Sequence, residues 1–216
     1  DTIFPMNTSG YRSTDPIVTF SHTHVSGTGG GGRYGNIGVL PFVGRPRVSI
    51  EPYEQRNETA DPAYYAVDLV GAGIRAELTC TQHVGVHRYT FPKCEKANIL
   101  LDAGTVIKVH PKGEPASAWS IGGYVEVISD RAIYGRSDCK GGWGHDFPYS
   151  VYFYAEFAEE FSSIRCGSQG DFGEERKADG AGSFAVASFD DTSVVELRVG
   201  ISFVSDTLIS KMPVPK

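Results

Sequence analysis

Short runs of β-branched and aromatic residues, most of them bounded by Gly, Pro, Asp or Ser, follow one another from Val39 to Val204. None keeps a 3.6-residue apolar period over ten positions. A chain with that pattern has no long amphipathic helix to bury, so it must build its core from sheets. The expected strands are Val39–Phe42, Ala63–Leu69, Ile74–Thr81, His83–Phe91, Ala97–Asp102, Thr105–His110, Ser117–Ile128, Arg131–Tyr134, Tyr149–Phe157, Ser183–Phe189 and Val194–Val204. Val194, Glu196 and Arg198 alternate with Val195, Leu197 and Val199, as in a strand with one buried face. Gln169–Ala181 is polar and glycine-rich and reads as a loop. The one helix start is Ser205-Asp206-Thr207 before Leu208-Ile209, stopped by Pro213 and Pro215. At 216 residues the chain is long enough for one large all-β unit with its own core.

Charge and composition narrow the partners. A net charge of −6 without clustered Lys and Arg argues against nucleic acid, whose phosphates need neutralising. No apolar run approaches the roughly 20 residues that span a bilayer. Asp1-Thr2-Ile3-Phe4-Pro5 does not read as a signal peptide. Cys80, Cys94, Cys139 and Cys166 are an even set without the spacing of zinc modules. Asn7-Thr8-Ser9 and Asn57-Glu58-Thr59 are glycosylation acceptors in a eukaryotic host. Together these favour a secreted, extracellular or periplasmic protein with one or two disulfides. Cys80–Cys94 and Cys139–Cys166 are the local pairings; two other connectivities remain open, as do four buried thiols.

The most unusual stretch runs from Phe20 through Ser21-His22-Thr23-His24-Val25-Ser26-Gly27-Thr28-Gly29 to Arg33-Tyr34-Gly35-Asn36. If it is extended, His22 and His24 share one face. The glycines from Gly27 to Gly32 then permit positive φ and leave backbone N–H groups uncovered, so a ligand or another domain can approach closely. A hairpin connection without a ligand fits the same residues. A His-x-His zinc site fits only with further ligands, and none is evident nearby. His87-Arg88-Tyr89 is a second cluster: Arg88 offers a donor fork and Tyr89 a stacking face with a hydroxyl, groups that hold sugars or carboxylates, or else Arg88 pairs with an acidic neighbour to support the fold. His83 and His87 fall on one strand face. Trp143, set in Gly141-Gly142-Trp143-Gly144-His145-Asp146, could stack on a pyranose or anchor its loop. No carboxylate, Glu77 and Glu196 included, lies in a context that marks it as an acid or base, and no Gly-x-Ser-x-Gly is present.

The Ser-His-Thr-His-Val-Ser-Gly-Thr-Gly run resembles the signature of glycoside hydrolase family 92, the calcium-dependent exo-α-mannosidases. Ser9-Gly10-Tyr11 with Asp15, Glu77-Leu78-Thr79, Val84–Pro92, Val151–Phe157 and Val195–Ser205 are similar to further blocks of that family, in the same order. Two features depart from it. Members have a further stretch before the position of Asp1, and many carry Trp or Cys where Gly30-Gly31 stand here. The resemblance implies an all-β, single-domain antiparallel β-supersandwich over residues 1–205, with 206–216 starting a linker to a helical (α/α) barrel. It implies that the barrel holds the acid, the base and Ca2+, and that the sandwich completes a pocket for terminal α-mannose, hydrolysed with inversion. His22, His24, Ser26, Gly27, Thr28, Gly29, Arg33 and Trp143 are the positions expected at substrate or interface. The chain alone is expected to lack catalysis. A free-standing sugar-binding lectin on the same sandwich is the alternative.

Overall fold

In a computed structural model, residues 14–23, 34–93, 96–106, 118–141 and 147–205 are described. They form fourteen strands: β1 (Gly38–Val43), β2 (Gln55–Asp61), β3 (Tyr64–Leu69), β4 (Ile74–Cys80), β5 (Val84–Thr90), β6 (Ala97–Asp102), β7 (Ala118–Val127), β8 (Ala132–Gly141), β9 (Tyr149–Phe157), β10 (Ser163–Ser168), β11 (Asp171–Phe172), β12 (Lys177–Asp179), β13 (Phe184–Phe189) and β14 (Val194–Ser202). One sheet has the order β1-β6-β13-β10-β11 and the other β12-β7-β8-β9-β14-β5-β4-β3-β2. Neighbours are antiparallel, as in β14 against β5 and β9.

The core lies between the sheets. On β14, Val195, Leu197 and Val199 point inward and are fully buried, while Glu196 and Arg198 point out. Tyr89, Phe153, Phe157, Ile99 and Leu101 fill the same layer. β6 and β13 lose the alternation because the five-stranded sheet is covered on both faces. Phe42, Leu100, Phe184 and Val186 form a second cluster on its outer side, with Val48, Ile50 and Phe172 packed on it. That burial explains their unbroken apolar sequences.

Most expected strands are present, β6 and β9 with the expected bounds. The loop expected over Gln169–Ala181 instead contains the short strands β11 and β12. β2 and β10 also had no apolar signal. β2 is an edge strand whose side chains are mostly exposed, with a register shift between Arg56 and Thr59. An edge facing water needs no apolar alternation, and such a shift blunts further pairing. Thr105 and Val106 lie outside the strands; the rest of Thr105–His110, and the helix expected from Asp206, lie outside the described residues. Among the described residues no helix is long and apolar enough to cross a membrane.

Candidate functional site

The unusual stretch enters and leaves the fold through two chain segments paired to each other. Phe20 and Val39 exchange backbone hydrogen bonds of 2.9 Å. The His22 amide donates to the Asn36 carbonyl at 3.0 Å and the Gly35 amide to the Thr23 carbonyl at 2.8 Å. Residues 24–33, with His24, Ser26, Gly27, Thr28, Gly29 and Arg33, lie outside the described residues. Their roots do not, and the roots are firmly built.

The outgoing root turns sharply. Tyr34, Gly35 and Ile37 have φ of 73°, 66° and 56°. Left-handed backbone suits glycine and is a genuine outlier for a β-branched residue such as Ile37. Two buried networks hold it. In the first, Thr23 Oγ1 donates to Asn36 Oδ1 at 2.9 Å and accepts from the Asn36 amide at 2.8 Å. Asn36 Nδ2 donates to Cys139 Sγ at 3.1 Å, and the Tyr149 hydroxyl donates to Asn36 Oδ1 at 3.3 Å. The Tyr149 ring meets Tyr34 edge-on at 5.4 Å. Asn36→Ala would strand these buried groups, so it is expected to cost about 3 kcal/mol in urea unfolding. A loss below about 1 kcal/mol would show that the network does not hold the root.

The second network joins residues far apart in sequence. His22 Nδ1 lies 2.6 Å from the Ile37 carbonyl oxygen. His22 Nε2 lies 2.9 Å from His87 Nε2, and His87 Nδ1 lies 2.8 Å from the Tyr89 hydroxyl. His87 and Tyr89 are buried on the inner face of β5. Burial holds His22 down at about 4, only partly offset by its bond to Ile37. Burial, with His22 nearby, holds His87 well below the usual imidazole range and pushes the Tyr89 phenol up. Both imidazoles are therefore neutral at neutral pH.

His87 thus partners His22 and not His83, which is exposed and precedes β5. Among the described residues no group of three or more His, Cys, Asp or Glu side chains could hold a metal ion. The His22–His87 contact had one sequence trace. Gly85 interrupts a β-branched strand, and a Cβ there would stand 2.9 Å from His22 Cδ2. A glycine inside a strand often marks such a close approach.

Residues 2–202 match the glycosyl hydrolase family 92 N-terminal domain. The chain belongs to that family. The structure is similar to that of a family GH92 α-mannosidase from Bacteroides thetaiotaomicron in complex with mannoimidazole. The two are 26% identical with a TM-score of 0.82, over 97% of this chain and 29% of that one. A GH92 inverting mannosidase from Bacteroides thetaiotaomicron VPI-5482, at 16% identity, TM-score 0.63 and coverage of 81% and 22%, shares the fold. An uncharacterized secreted glycosidase from Arthroderma benhamiae is 34% identical over 97 residues, 40% of this chain and 12% of that protein. This family 92 chain therefore spans less than a third of the length of the solved relatives it matches.

Exposed apolar side chains gather at the sheet end that carries the roots. Phe203 and Val204, 62% and 75% exposed, follow β14 where Ser202 opposes Tyr152. Phe147, 79% exposed, precedes β9 where Tyr149 opposes Cys139. Trp119 opposes Lys140 at the same end, the ammonium 6.0 Å from its ring. Trp143 lies outside the described residues.

The other candidates lie on the outer face of the nine-stranded sheet. Arg88 Nε lies 3.6 Å from Glu196 Oε1 on the neighbouring strand, the fold-supporting role weighed for it. Glu77 accepts from the Tyr64 hydroxyl at 2.9 Å. Arg88→Ala should change unfolding free energy by no more than about 1 kcal/mol, since exposed pairs contribute little.

Among the described residues no cysteine is paired. Cys139 on β8 and Cys166 on β10 are free, buried, and belong to different sheets and different core clusters. Cys139 faces Ser137 Oγ at 3.2 Å as well as Asn36. Burial raises both thiols, Cys166 to about 11. Cys80 is an exposed free cysteine opposite Gly85. Thr90, from which the chain runs on toward Cys94, pairs with Arg75 at the other end of β4; Cys94 itself lies outside the described residues. Asn57 is exposed on β2 and its amide donates to Asp68 at 2.7 Å; Asn7 lies outside the described residues.

Proposed function

We propose that this domain, residues 1–205, packs beside a catalytic helical barrel and completes its pocket for terminal α-linked mannose, in a secreted enzyme that hydrolyses mannose-containing glycans with inversion. The glycine-rich segment carries the contact, with His24, Ser26, Gly27, Thr28 and Gly29 toward the sugar or the barrel and His22 behind them. Arg33 and Trp143 border the same interface, and residues 206–216 lead into the barrel. The supporting observation is the coincidence at one sheet end of rigid loop roots and exposed Phe147, Phe203 and Val204. Exposed apolar groups gathered in one place mark surfaces that another element covers. The likeness to an α-mannosidase over nearly the whole chain supplies the substrate class.

The division of labour follows from chemistry. Glycoside hydrolysis needs two carboxylates across the scissile bond, and inversion needs room for water between them. Glu77 and Glu196 are engaged with Tyr64 and Arg88 on an outer sheet face. The acid, the base and Ca2+ are assigned to the barrel on the family resemblance. Glycosylation at Asn7 and Asn57 would accompany secretion.

The test uses the enzyme that carries this domain. Ser26→Ala and Thr28→Ala are expected to raise KM for an aryl α-mannoside by about tenfold, a loss of one good contact. Arg88→Ala should leave kinetics within about twofold, as a surface pair would. Unchanged KM in both loop variants would overturn the reading.

A further inference from the structure

The contact between His22 and His87 has only one arrangement of protons that satisfies every partner when both rings are neutral. The Ile37 carbonyl can only accept, so His22 Nδ1 carries the hydrogen. His22 Nε2 must then accept from His87 Nε2–H. His87 Nδ1 is left to accept from the Tyr89 hydroxyl. The chain runs in one direction from Tyr89 to Ile37, and each imidazole tautomer is fixed by its neighbour.

We propose that His87 and Tyr89 are positioning residues for the glycine-rich segment: through the tautomer they impose on His22, they hold the Ile37 carbonyl in its left-handed turn and so set both roots of residues 24–33. This deepens the reading of that segment as the sugar-facing element and rests on it for its relevance to catalysis. The geometry requires no contact between His87 or Tyr89 and the sugar.

Three features support it. Left-handed backbone at a β-branched residue persists only where surroundings over-determine it, and the bond from His22 to the Ile37 carbonyl is such a restraint. Gly85 clears the space that the His22 ring occupies, since any side chain there would collide with it. The surroundings also keep the rings neutral. They face the Ile37 carbonyl, the Tyr89 hydroxyl and each other. Leu78 on β4 and Leu197 on β14 flank His87, and no carboxylate lies opposite it on either strand. One added proton goes to His87 Nδ1, or to His22 Nε2 with the bond between the rings reversed; either way His87 Nδ1 becomes a donor and the Tyr89 hydroxyl turns away from it. A second sets two N–H groups against each other.

The test is imidazole nitrogen NMR on this chain, with His22 and His87 assigned by substitution. Near neutral pH, His22 is expected as the Nδ1–H tautomer and His87 as the Nε2–H tautomer. Tyr89→Phe removes one hydroxyl and is expected to mix the His87 tautomers. It should also speed exchange of the Gly35 amide, which bonds Thr23 at the roots, by about tenfold, leaving β6 and β13 amides unchanged. His87→Gln keeps an N–H donor toward His22 and should restore Gly35 protection to within about threefold of the parent, whereas His87→Leu should not. His22 found as the Nε2–H tautomer, Gly35 exchange unchanged in Tyr89→Phe, or equal behaviour of the Gln and Leu variants would each overturn the proposal. These readouts involve no sugar. If they hold while the Ser26 and Thr28 variants leave KM unchanged, the functional reading falls and the positioning device stands.

Discussion

As pH falls from 6.5 toward 4, the domain is expected to lose about 2–3 kcal/mol of unfolding free energy through His22 alone. The sign follows from proton counting. In the unfolded chain a histidine takes up its proton near 6.5, whereas His22 in the fold resists until about 4. Between those values the unfolded state holds more protons, so acid favours unfolding. Above 6.5 neither form is protonated and the full stability is present. His87 is held down in the same direction by burial and by His22. The loss should therefore exceed that of one histidine and end in cooperative unfolding. Urea unfolding across the window checks this. His87→Gln, which cannot titrate, should flatten the slope between 6.5 and 4. Asp68, held low by Asn57 and Arg75, lies far along the sheet on β3, and its stabilisation is lost only at lower pH, so it does not mask the comparison. An unchanged slope in His87→Gln would show that the histidine pair is not the acid-sensitive element.

The fold was legible where burial is one-sided. β9 and β14 alternate because one face of the nine-stranded sheet meets the core and the other meets water. β6 and β13 were legible for a different reason, as short apolar runs too brief for helices. β2, β11 and β12 were not, because edge strands are held by backbone pairing that leaves no mark on side-chain polarity. The site was half legible. The glycine-rich run stood out, and so did His87-Arg88-Tyr89, but for Arg88 as a donor fork and Tyr89 as a stacking face, and Tyr89 is fully buried. The strand places Arg88 outside against Glu196 and turns His87 and Tyr89 inward to His22. That contact spans 65 positions, and no local pattern encodes a pairing set by which strands become neighbours. Asn36 ends the run, and nothing local marks it as the run's anchor. Its partners Cys139 and Tyr149 come from β8 and β9, a hundred or more positions away. The free state of Cys139 and Cys166 was not legible either: even count and local spacing cannot show that the two thiols join different core clusters.

Gly135→Ala is expected to be among the most damaging single substitutions in the domain. Gly135 lies mid-strand on β8, directly opposite Phe153 on β9. Its backbone is not the reason, since its φ is not in the left-handed range. The reason is space. A Cβ would stand 2.2 Å from the Tyr124 carbonyl oxygen on β7 and 2.7 Å from Phe153 Cε1. Phe153 is fully buried and its ring fills the place a side chain would take. A side chain added there must push the ring off its rotamer and part β7 from β8, which should cost about 3 kcal/mol or more. Phe153→Ala removes the ring and leaves a cavity, at about 3–5 kcal/mol. The double variant separates the two clashes. If the carbonyl contact dominates, Gly135→Ala remains destabilising by about 2 kcal/mol or more in the Phe153→Ala background, because trimming the ring does not move the Tyr124 backbone. If the double variant is as stable as Phe153→Ala alone, the strands yield easily and only the ring resisted. Urea unfolding of the four proteins decides it. The carbonyl outcome is expected, because an oxygen held in the β7–β8 ladder has no rotamer to escape into.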